Sequence, residues 1–180
     1  GLRSPLHSTL RLGGRWAIEA TPELNGTIRI EREGGDLYAV EHDAPVREDL
    51  ALGLQEFVVD ARFNDDALAA RAHWRATLAG DGEIVAAVGA ADDGPLTRDA
   101  PATFAASVRM PSLAPIQPWL GTSAVVAGNL RLDLAGRGTL ANLPLSGTIG
   151  GDALRVDAPS WGRGTQRLWF FVTLVGKSHT

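Results

Sequence analysis

Cysteine is absent from this chain of 180 residues. Disulfides and thiolate metal sites are therefore excluded, and a periplasmic or a cytosolic setting fits equally well. Basic residues number 17 against 21 acidic ones and are scattered, so no nucleic-acid-binding face is built. No apolar run approaches the ~20 residues of a membrane-spanning helix. The four histidines, His7, His42, His73 and His179, are far apart and form no HxH or HExxH pattern, which argues against zinc. Initiator methionine and signal peptide are both missing, and a start at Gly1-Leu2 is expected of a piece cut from a longer protein. Aromatics make up only 6% of the chain, so the placement of each one is informative.

What is present is alternation. Hydrophobic residues are 44% and charged residues 21%, a balance that supports one folded domain. Apolar and polar residues alternate with a period of two, the mark of strands with one greasy and one wet face. Trp16 and Ile18 share a face, as do Ile28 and Ile30 against Arg29 and Glu31. Asn25-Gly26 between these runs predicts a type I′ hairpin turn, a stronger reading than the glycosylation sequon that Thr27 completes. Gly34-Gly35-Asp36 predicts another turn, into Leu37–Val40.

The centre repeats the pattern. Phe57, Val59, Ala61 and Phe63 oppose Val58, Asp60 and Arg62. After a turn at Asn64-Asp65-Asp66, Leu68, Ala70, Ala72, Trp74, Ala76 and Leu78 share a face. The alanines of this segment favour helix by propensity, but strict alternation between turn signals outweighs that. Phe104 and Val108 line a further strand, then Leu130, Leu132 and Leu134, then Leu154 and Val156, within strands expected near 123–135 and 143–159. Only 112–120 reads as a short helix, with Ser112 as its cap and Gly121 as its end. The expected fold is all-β, with at most that one short helix. The candidate functional residues are the apolar-face positions named above: Trp16, Ile18, Ile28, Ile30, Phe57, Val59, Phe63, Trp74, Leu78, Phe104, Val108, Leu130, Leu132, Leu154 and Val156.

Catalytic patterns do not survive inspection. Gly136-Arg-Gly138-Thr-Leu-Ala141 matches a dinucleotide-binding string, but Pro144 and Gly147 follow where a helix is needed, so its glycines read as turn residues. Glu31, Glu33 and Asp36 lie on a wet face or in a turn. Asp65-Asp66 and Asp92-Asp93-Gly94 lack the ligand spacing of a calcium loop. Leu143-Pro-Leu-Ser146-Gly is no nucleophile elbow. Neither an enzyme nor a cofactor is expected.

Two passages resemble a known family. Gly14-Arg-Trp-Ala-Ile followed by Leu24-Asn-Gly-Thr-Ile-Arg-Ile-Glu-Arg-Glu-Gly-Gly-Asp-Leu, and later Pro144-Leu-Ser-Gly-Thr-Ile-Gly-Gly-Asp-Ala-Leu-Arg-Val-Asp-Ala-Pro-Ser-Trp-Gly, resemble the C-terminal region of TamB. TamB is the inner-membrane subunit of the translocation and assembly module and is related to AsmA-like bridge proteins. The likeness runs from about Leu10 to Gly164 and rests on the order and spacing of degenerate turn-and-strand motifs. It implies that residues 1–164 are one β-trough segment of a larger, inner-membrane-anchored periplasmic protein. The sheet would curl into a taco-like or U-shaped trough with an apolar interior, a hydrophobic groove for phospholipid acyl chains. It also implies a TamA-like outer-membrane barrel partner in the assembly of autotransporters and other outer-membrane proteins. A carbohydrate-binding or adhesin-like β-domain is the alternative, and would show aromatics on its exposed face.

Residues 165–180 depart from the family pattern. Leu168–Val175 is apolar almost throughout, and is either foreign or frame-shifted sequence or a strand buried on both faces. With no charge or proline to interrupt it, it is an expected driver of edge-to-edge self-association.

Overall fold

A computed structural model of the chain describes residues 6–20, 22–40, 49–90, 97–117, 125–153, 155–157 and 172–175. Its described residues are all-β apart from the 3-10 turn Ala114–Ile116 and a helical Gln117 directly after it, within the short helix expected at 112–120, of which 118–120 lie outside the described residues. Ser112 Oγ accepts a bond from the Ala114 N–H there. The strands in the first half are β1 (Leu6–Ser8), β2 (Arg11–Ala20), β3 (Leu24–Gly34), β4 (Leu37–Val40), β5 (Asp49–Ala51), β6 (Leu54–Asn64) and β7 (Ala67–Ala76). Those in the second half are β8 (Gly80–Val88), β9 (Pro101–Met110), β10 (Val125–Ala127), β11 (Leu130–Thr139), β12 (Leu145–Gly150), β13 (Arg155–Asp157) and β14 (Val172–Val175).

Nine of them form one antiparallel sheet in the order β14-β12-β11-β9-β8-β7-β6-β3-β2. Two small sheets, β1-β4-β5 and β10-β13, continue from one end of it. None of the sheets is strongly curled. Alternation outweighs alanine propensity at β7 because Ala70 and Ala72 lie opposite apolar-side residues of both neighbouring strands.

The structure corrects the sequence reading of the turns in four places. Asn25-Gly26 is not a hairpin turn but the start of β3; the chain reverses before it, at the Pro22-Glu23 bend. Asn25 instead accepts a bond from the Asp65 N–H at 3.0 Å, and Asp66 accepts one from the Leu24 N–H at 2.8 Å. The left-handed pair needed for a two-residue hairpin is Asp65 and Asp66, at φ 48° and 63°. Gly136 and Gly138 lie within β11 and are not turn residues. A Cβ on either would press into the returning segment, at Leu145 and Pro144 from Gly136 and at Asn142 from Gly138. Leu78 does not extend the β7 face. It sits in the turn to β8, half-buried, with its N–H donating to Leu52 O at 3.0 Å.

At Gly34-Gly35-Asp36 the chain does not reverse. Three strands bend together there: β2 back into β1, β3 into β4, and β6 back into β5. The Asp36 carboxylate holds this corner. It accepts from the N–H groups of Leu37 (2.8 Å), Gly53 (3.0 Å) and Leu54 (2.8 Å), while the Asp36 N–H donates to Thr9 Oγ1 at 3.0 Å. Arg32 crosses the same corner and donates to the carbonyls of Gly35 and Gln55.

Candidate functional site

Cross-strand register gathers the apolar residues into rows that run across the strands. One row reads Trp16, Ile28, Ala61, Ala70, Ala86, Phe104, Gly136, Leu145. The next reads Gly14, Ile30, Val59, Ala72, Ile84, Ala106, Leu134, Gly147. On the other side lies Ile18, Gly26, Phe63, Leu68, Val88, Ala102, Gly138. A fourth contains Phe57, Trp74, Gly82, Val108, Leu132 and Ile149, and Leu130 pairs with Met110 beyond it. Of the fifteen candidates, all but Leu78, Leu154 and Val156 thus share one face of the main sheet. Leu154 lies outside the described residues. Val156 is described by its backbone, which pairs with Val126 in the β10-β13 sheet, away from the nine strands.

This face has no second layer among the described residues. Every substantial contact between elements joins laterally paired strands, apart from one between β10 and the 3-10 turn. The face is accordingly half-buried by its own neighbours and not enclosed. Burial alternates residue by residue along β9, β11 and β12, with the apolar side the less exposed. At the β2 edge the face is open: Trp16 is 74% exposed. Val88 and Ala102 of this face are fully buried, with Ala100, beside Leu68 and Leu143 at one end, and Val58 is buried in mid-β6 on the opposite side.

Sequence reasoning missed two features of this surface. The Trp74 ring lies over Gly82, where a Cβ would collide with it, so an aromatic covers an in-strand glycine. The register also aligns Ala61, Ala70 and Ala86, a track of small side chains flanked by Phe63, Leu68 and Val88. Period-two placement located each alanine on the face; only the pairing of strands reveals the track.

The opposite face is charged and internally paired. Arg29 bonds Asp60 at 2.8 Å and Glu31 at 3.1 Å, and Glu31 also meets Arg15 at 3.4 Å. Asp60 first, and then Glu31, hold the Arg29 guanidinium above its ordinary pKa. Glu56 joins His73 and Arg75, and Arg71 joins Glu83. Glu31 is thus absorbed into ion pairs and Asp36 into the corner, so these carboxylates form no acid-base pair. Two shallow hollows lie on this face. One of about 540 Å³ is floored by small residues such as Val85, Ala105 and Ala135. The other, about 600 Å³, is walled by Glu56, Asp60, Arg71, His73, Glu83 and Arg109, whose charges largely offset one another.

The two faces should respond differently to substitution. Ile30→Asp places a charge in the middle of the apolar rows and is expected to cost about 2 kcal/mol or more. Arg29→Ala, on an exposed ion-paired face, is expected to cost under about 1 kcal/mol. Urea melts of both variants check this, and equal losses would break the assignment of faces.

No family model matches the chain, and neither the curated proteins nor the solved structures give a match.

Proposed function

We propose that the apolar face of the nine-stranded sheet is the floor of a path for lipid acyl chains. The observation that supports this is the unlayered face itself: four apolar rows cross the sheet with no described strand or helix packed over them, and only one end is covered, where Ala100 and Leu143 meet Leu68, Val88 and Ala102. A protein does not leave so broad an apolar surface to water without a use for it. With strands about 4.8 Å apart, the longest rows run for about 34 Å, comparable to the ~30 Å hydrocarbon core of a bilayer. Each methylene buried against such a floor contributes about 0.8 kcal/mol, so lipid is held without any nucleophile or metal. Curling of this sheet in the longer protein would turn the floor into a trough.

The TamB-like passages add the setting. In this reading the chain is a periplasmic segment of an inner-membrane-anchored protein that conducts phospholipid towards the outer membrane. It would work with a TamA-like barrel in outer-membrane protein assembly. A carbohydrate-binding surface would place aromatics on the wet face, whereas Trp16, Phe57, Phe63, Trp74 and Phe104 all fall on the apolar side.

A photo-crosslinker at Val59 or Leu132 in the intact protein is expected to capture phospholipid, and one at Arg62 or Arg131 on the wet face to capture little. Mass spectrometry of the adducts reads the outcome. Equal capture from both faces would overturn the proposal.

A further inference from the structure

The two edges of the main sheet differ. The backbone of Val172–Val175 pairs antiparallel with β12, so this part of the apolar tail folds onto its own sheet and forms one edge of it, only four residues long. The other edge is longer. No described strand pairs with the outer side of β2. That strand is ten residues long and exposed at every position except Gly13. Leu12, Trp16 and Ile18 are 51%, 74% and 47% exposed on its apolar side. Protected edges carry a proline, an inward-pointing charge or a bulge in mid-strand. The β2 strand has no proline and no charge on its apolar side, and its one register shift falls at the very end, at Arg11/Leu12.

We infer that β2 pairs antiparallel with β2 of a second copy, about a two-fold axis at Arg15. The sequence of the strand is self-complementary in that register, which engages residues 11–19 of both copies. Arg11 comes opposite Glu19 of the partner subunit, and Leu12 opposite Ile18 of the partner subunit. Trp16 falls opposite Gly14 of the partner subunit, the same aromatic-over-glycine arrangement that Trp74 and Gly82 make inside the sheet. Each contact occurs twice, as an isologous interface requires. Registers centred on Gly14 or Trp16 keep the faces aligned but lose both Arg11–Glu19 pairs, and one centred on Ala17 pairs Arg15 with Glu19 but engages only residues 14–20 of the strand. The two Arg15 side chains meet at the axis, and each is already joined to its own Glu31 at 3.4 Å. Both apolar faces then lie on the same side and run on without a break. This pairing follows from the edge alone and does not depend on what the apolar face carries.

The lack of native cysteine makes the register directly readable. Under mild oxidation Arg15→Cys is expected to give a disulfide-linked dimer, because strand partners lie within disulfide reach. Glu19→Cys alone is expected to stay unlinked, and Arg11→Cys with Glu19→Cys to link again. In sedimentation velocity the chain should dimerise reversibly. Ile18→Lys, a charge placed on the apolar side of the edge, should weaken the dimer at least about tenfold. Removing residues 167–180 should leave the dimer in place. A chain that stays monomeric at every concentration overturns the inference, as does equal linkage from Arg15→Cys and Glu19→Cys, or loss of the dimer with the tail. Lipid capture at Val59 in the monomeric Ile18→Lys variant tests the lipid path separately, so failure of one is not failure of the other.

Discussion

Asp36→Ala is expected to lower folding stability by about 3–5 kcal/mol. The carboxylate accepts three backbone N–H groups, and two of them, from Gly53 and Leu54, come from the start of β6. Charge-assisted bonds contribute about 1.5–3 kcal/mol each, and the lower end applies because the corner is only partly buried. Alanine leaves three donors facing a gap that the bent strands cannot close. Asparagine separates charge from geometry. Its single acceptor oxygen can still serve Leu37 and Leu54, but its amide donor meets the Gly53 N–H, so Asp36→Asn should fall between wild type and alanine. Urea unfolding of the three proteins gives the comparison. An alanine variant within about 1 kcal/mol of wild type would mean that the corner is held by the strands and not by the carboxylate.

Gly80→Ala is expected to cost about 3 kcal/mol or more. Gly80 has φ +75°, where a side chain costs about 1–2 kcal/mol for L-residues. A Cβ would also run into the Arg109 carbonyl of β9, which is backbone and cannot swing aside. Asparagine tolerates positive φ better than alanine. If backbone conformation were the whole effect, Gly80→Asn would recover much of the loss. Because both carry a Cβ, the two variants should be about equally unstable, with β8 and β9 forced apart at that end. Thermal melts alongside the neutral change Ala79→Gly provide the test.

Strand existence and facing were legible in the sequence, because side-chain alternation is a local property. It placed Ile28, Phe57, Trp74, Phe104 and Leu132 on one side and Arg29, Asp60 and Arg131 on the other, as the register has them. Turns were less legible where their partners are distant. Asn25 looks like a turn former and instead steadies the turn at Asp65-Asp66, forty residues away. Asp36 reads as a turn residue because its acceptors' partners at Gly53 and Leu54 are invisible locally. The rows of the candidate site depend on cross-strand register, which irregularities at Arg11/Leu12 and Leu54/Glu56 adjust. One sequence does not reveal such slips. Nor does alternation say whether an apolar face meets a second layer, and the proposed lipid path rests on that.

The strand order has a consequence for how the molecule comes apart. Reading across the main sheet retraces the chain, so each strand is hydrogen-bonded to one that is near it in sequence. Such a meander can grow from any hairpin by adding strands one at a time, much as a repeat array does, with modest loop-closure cost. Without a central core shared by all nine strands, cooperativity is passed from neighbour to neighbour. Amide exchange should therefore slow gradually from the outermost strands towards β7 and β8, and unfolding should proceed as fraying inward, not as a single all-or-none collapse.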